Sequence, residues 1–117
     1  MSTWDSEIFA EETNVDFLDE LVDLDDDDIV ESITDACLLV ANQEKSTDDE
    51  LLNGQAAATI AAIWAGAPFA AGDVAQQYPF IRGLMGEVDE KLAEAAVSVL
   101  EHADTEFDID QFIEALS

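Results

Sequence analysis

Positive charge is what this chain has least of. Lys45, Arg82 and Lys91 stand against 29 aspartates and glutamates, a formal net charge of −26 over 117 residues. Most carboxylates therefore have no cation to pair with, and they repel one another. DNA, RNA and anionic membranes all attract cationic surfaces, so the composition argues against each as a partner. Cysteine is nearly absent too: Cys37 alone cannot make an internal disulfide, and no oxidising compartment is implied. The first residues carry Asp5, Glu7, Glu11 and Glu12 where a secretory signal would need Lys or Arg before an apolar run. The most apolar stretch, Ala56 to Gly72, is alanine-rich and broken by Pro68, short of the roughly 20 strongly apolar residues of a membrane span. A cytoplasmic protein is the expectation.

Two-residue alternation is missing as well, so no sheet of consequence is expected. There is no P-loop, no G-x-G-x-x-G and no nucleophile elbow. What the chain does have is apolar content: 49% of its residues are hydrophobic, enough for it to fold, and its length suits one domain over 1–117.

The stretch from Thr47 to Gly66, TDDELLNGQAAATIAAIWAG, organises the rest. Thr47 and Glu50 have the spacing of a capping box, and Asp48 and Asp49 place negative charge at the positive end of a helix dipole. From Leu51 to Ala65 the apolar residues cover every face, which predicts a buried central helix. Gly66 and Pro68 end it.

On either side the apolar residues recur at intervals of three and four. Residues 1–12 read as an irregular arm tucking Trp4 and Phe9 onto a bundle. A first helix is expected over 13–24, with Thr13 as N-cap and Val15, Phe17, Leu18, Leu21, Val22 and Leu24 as its apolar stripe. Asp25 to Asp28 suit the start of a second helix, which carries Ile29, Ile33, Ala36, Cys37, Val40 and Ala41 to about Asn42. Helical turns are expected at 73–77 and 80–85, and a helix at 87–103 with Val88, Leu92, Ala95, Ala96, Val99, Leu100 and Ala103 on one face. Residues 104–107 read as a loop before a last helix, where Asp108 and Gln111 repeat the capping-box spacing. The expected class is all-α, five to six helices around a buried central one.

Few residues suggest chemistry. His102 lies near a helix end, where its charge would suit the dipole, and it lacks the companion ligands of a metal site. Cys37 faces the apolar side of its helix with no basic neighbour to make a thiolate. Asp23, Asp25 and Asp27 match the first three ligand positions of a calcium loop. Asp28 replaces the required glycine and Thr34 the bidentate glutamate, which leaves at most a weak divalent site. Carboxylate pairs are so common that none is singled out as an acid–base pair.

The opening frame Trp4, Phe9, Thr13, Asp16, Phe17, Leu18 and Leu21, W-x4-F-x3-T-x2-D-F-L-x2-L, resembles the start of a small bacterial family, domain of unknown function 4259. Its alanine-rich middle ending in glycine and proline is similar to Ala56 to Pro68. The family's glycines after the tryptophan are Asp5 and Glu7 here, and its Asn-Asp pair is Glu11-Glu12. The resemblance implies a small helical protein over the whole chain and brings no catalytic residue and no cofactor with it.

Function is therefore expected to lie in protein–protein interaction without catalysis: an acidic helical protein with a basic partner, as an inhibitor or immunity protein would have. Trp4 and Asp25, Asp26, Asp27 and Asp28 are the candidate partner-binding residues. The rival readings are a carboxylate-based divalent-metal-binding protein or hydrolase, and acidity that serves only solubility or salt adaptation.

Overall fold

Thr47 closes the front of the helix around which the molecule is assembled. Its hydroxyl accepts the Glu50 N–H at 3.1 Å, and Glu50 Oε1 accepts the Thr47 N–H at 3.0 Å, completing the capping box. The architecture is that of a computed structural model, which describes residues 4–42, 47–67, 72–84, 86–103 and 109–116. Helix α4 (Asp48–Trp64) runs from this cap into the core. Every residue from Ala56 to Trp64 is buried. At its far end Gly66 takes φ 108°, a left-handed conformation that suits glycine. The Gly66 N–H then reaches Ile63 O at 2.9 Å and the Ala67 N–H reaches Ala62 O at 3.0 Å, a Schellman motif. The Gly86 N–H takes the Trp64 carbonyl at 2.7 Å, so even the last turn is satisfied.

The other helices are α1 (Trp4–Ala10), α2 (Glu12–Val22), α3 (Asp26–Asn42), α5 (Gly72–Gln77), α6 (Phe80–Gly83), α7 (Glu90–Glu101) and α8 (Asp110–Leu116). The described residues are thus all-helical, with eight helices and no strand. Helices α3 and α7 flank α4 and also pack on each other, while α1, α2, α6 and α8 cover its remaining sides. A radius of gyration of 12.5 Å marks one closely packed globule. Helices α3 and α4 approach closely at Gly54, where an added Cβ would lie 3.0 Å from Val40 Cβ and 3.2 Å from Ala36 O. Helix α7 starts on Asp89, whose carboxylate accepts the Leu92 N–H at 2.8 Å.

Several expectations need correction. The count is eight rather than five or six, because residues 72–77 and 80–83 close short helices and the N-terminal arm is itself helical. A seven-residue helix does not hold alone in water. Helix α1 forms because Trp4, Ile8 and Phe9 are buried together with the core cluster. Only Glu11 separates it from α2, so Thr13 falls inside α2 and is no N-cap. Its hydroxyl instead donates to Asp49 Oδ1 at 3.3 Å. The front of α4 is also less enclosed than expected: Leu51 is exposed and Leu52 half-buried, and unbroken burial begins only at Ala56. The expected loop at 104–107, the Asp108 cap and the Pro68 stop lie outside the described residues.

Candidate functional site

Trp4 is the first candidate to place, and the structure withdraws it from the surface. Its side chain is buried and its indole N–H donates to Thr59 Oγ1 at 2.8 Å, tying α1 to α4. Thr59 in turn donates to Gln55 O at 2.8 Å, so the hydroxyl is satisfied in both roles. Beside this link Asn14 is fully buried, and its Nδ2 donates to Ile8 O at 2.7 Å. One C-terminal carbonyl of α1 is thereby paired from α2, while Asn14 Oδ1 has no partner among the described residues. Trp4 is thus a core residue, as an arm tucked onto the bundle requires, and it drops out of the candidate partner-binding set.

The aspartate run is at the surface. Asp25, Asp26, Asp27 and Asp28 are all exposed, and α3 begins at Asp26 with three aspartates in its first turn, where the dipole favours them. Asp27 is already helical and Asp23 forms the C-cap of α2, so Asp23, Asp25 and Asp27 do not share the continuous loop that would wrap a calcium ion. Among the described residues no three His, Cys, Asp or Glu side chains converge in a way that would hold a metal.

His102 is exposed at the C-cap of α7, with Nδ1 donating to Ser98 O at 2.7 Å. Cys37 is fully buried in α3, and burial pushes its thiol up to about 12. A thiol so protonated is a small hydrophobe, not a nucleophile. Tyr78 is likewise raised to about 12, by burial and then by its 2.6 Å hydrogen bond to Asp19 Oδ1.

The feature that sequence reasoning missed is an apolar groove at the corner between α2 and α3. Val22, Leu24 and Ile29 form one wall, and Pro79, Phe80, Gly83 and Leu84 of the α6 region form the other, around about 430 Å³. Val22 is 46% and Leu24 39% exposed, although both belong to the stripe expected to face the core. Helix α2 buries Leu18 and Leu21 and ends at Val22, so Leu24 is carried past the helix by the turn into α3. Asp26 completes the lining, which sets the apolar floor directly against the aspartate run. Arg82 belongs to α6 but lies away from the groove lining, its guanidinium beside Gly72. The signal in the sequence was faint: Leu24 between Asp23 and Asp25 is an apolar residue stranded among acids.

Of the apolar positions of the N-terminal frame, Trp4, Phe9, Leu18 and Leu21 come together in one core cluster and the half-buried Phe17 packs against it; the family comparison agrees with that frame. The chain belongs to the family described as Domain of unknown function (DUF4259), whose model matches residues 2–117. No curated protein and no solved structure matches it. Membership of DUF4259 assigns no activity. Among the described residues no helix is long and apolar enough to cross a membrane.

Proposed function

We propose that the protein is a non-enzymatic interaction module that binds a basic partner protein, in the manner of an inhibitor or immunity protein, and that it works in the cytoplasm. The observation that carries this reading is the pairing of a net charge of −26 with an apolar groove at an exposed aspartate run. Charge of one sign raises the encounter rate with a partner of the other sign, and it repels nucleic acid and anionic lipid. Apolar surface beside it supplies the contact that survives once salt has screened the charges.

Affinity capture from the source cell, with elution by increasing salt, tests the proposal. The expected result is a strongly basic protein that binds at about 0.15 M salt, the physiological value, and is released as salt rises. Its gene should lie beside the gene for this chain if the role is inhibition. An empty capture, or partners that are acidic or held independently of salt, contradicts the reading.

A further inference from the structure

We propose that the groove between the α2–α3 corner and α6 is the docking site for a basic amphipathic segment of a partner protein, whose apolar side chains seat against Val22, Leu24 and Phe80 while its lysines and arginines face Asp23 and Asp25 to Asp28. The proposal rests on the basic-partner reading above and gives that partner a place and a chemistry. Four large hydrophobic side chains are markedly exposed among the described residues, and Val22 and Leu24 are two of them, two positions apart on one wall of the same groove. Exposed apolar surface grouped this way, with a polar rim, is the usual mark of an interaction site.

Charge decides the occupant. Five carboxylates fall within the six positions from Asp23 to Asp28, all exposed, and Asp26 is itself part of the groove lining. A second copy of this chain would bring another net charge of −26 against that rim, which like-charge repulsion opposes. Anionic lipid or nucleic acid meets the same repulsion. A segment carrying Lys or Arg on both sides of one or two leucine-sized side chains satisfies the floor and the rim together. The volume of about 430 Å³ accommodates side chains of that size without displacing the core residues behind it.

The test uses the whole chain and three synthetic peptides followed by fluorescence anisotropy at about 0.15 M salt. The peptides are an amphipathic Leu/Lys helix, the same peptide with serine for every leucine, and the same peptide with glutamate for every lysine. The Leu/Lys peptide is expected to bind at least about tenfold tighter than the Ser/Lys peptide. The glutamate peptide is expected not to bind. The double variant Val22→Ser/Leu24→Ser, which changes exposed side chains and whose fold is checked by circular dichroism, is expected to lose that preference. Equal binding of the Leu/Lys and Ser/Lys peptides would overturn the groove while leaving the basic-partner reading standing. Failure of both to bind would remove both. Self-association through the groove, seen as dimers in sedimentation that the double variant abolishes, would overturn the proposal in favour of a second copy.

Discussion

Trp4 and Thr59 are 55 residues apart, and the indole N–H of one donates to the hydroxyl of the other at 2.8 Å inside the core. That bond fixes α1 against the middle of α4. Replacing Thr59 with valine keeps the shape and strands a buried donor, which costs on the order of 1–3 kcal/mol. Thr59→Ser keeps the oxygen and is expected to cost less. Urea unfolding checks this: the midpoint should fall for Thr59→Val with an unchanged slope.

Gly54 offers a sharper contrast, because local and tertiary effects oppose each other there. Alanine in place of glycine inside a helix gains roughly 1 kcal/mol from propensity. At Gly54 the new methyl would overlap the Val40 side chain, a β-branched group with little freedom to turn away, and would press on Ala36 O at 3.2 Å. Gly54→Ala is therefore expected to destabilise by about 1–3 kcal/mol. Val40→Ala introduced on top of it should restore part of the loss, and a stabilising single substitution would contradict the close approach of α3 and α4.

Alkaline pH gives a third expectation. Cys37 and Tyr78 both have folded-state values raised to about 12, from ordinary values of 9.0 and 10.0. The unfolded chain loses these protons first, so the stability they contribute is fully present below pH 9 and falls as pH rises towards 12. Tyr78 is the sole tyrosine, so its ionisation can be followed by tyrosinate absorbance alone. Tyr78→Phe should remove its share of the alkaline loss and leave the cysteine share, as measured by urea unfolding across that range.

The single cysteine also reports on opening. Cys37 is fully buried on α3, within the core cluster. A thiol reagent is expected to modify it at a rate set by exposure of the core, slowly in the native protein and fast in denaturant. Rapid modification without denaturant would contradict its placement.

Salt is the simplest variable to test. With 29 acidic residues against three lysines and arginines, repulsion opposes the compact state, and screening over about 10 Å at 0.1 M salt relieves it. The melting temperature should rise steeply with sodium chloride from low salt upward. A flat profile would show that the carboxylates are spaced widely enough to ignore one another.

Much of this fold was legible before any tertiary contact was seen, because helices announce themselves locally. The capping box at Thr47 and Glu50, the glycine stop at Gly66 and the all-round apolar run to Trp64 are patterns whose partners lie within a few residues. They determined an all-helical protein with a buried α4, and the aspartates at the start of α3 follow the same dipole logic. Docking decided the rest. Helix α1 exists because Trp4 meets Thr59, and Gly54 matters because Val40 comes to rest on it. Val22 and Leu24 look like core positions until α2 ends beneath them and α6 stops short of covering them, leaving the groove. Periodicity states which residues share a face of one helix, but which faces find a cover depends on how separate helices pack, and that is settled only in three dimensions.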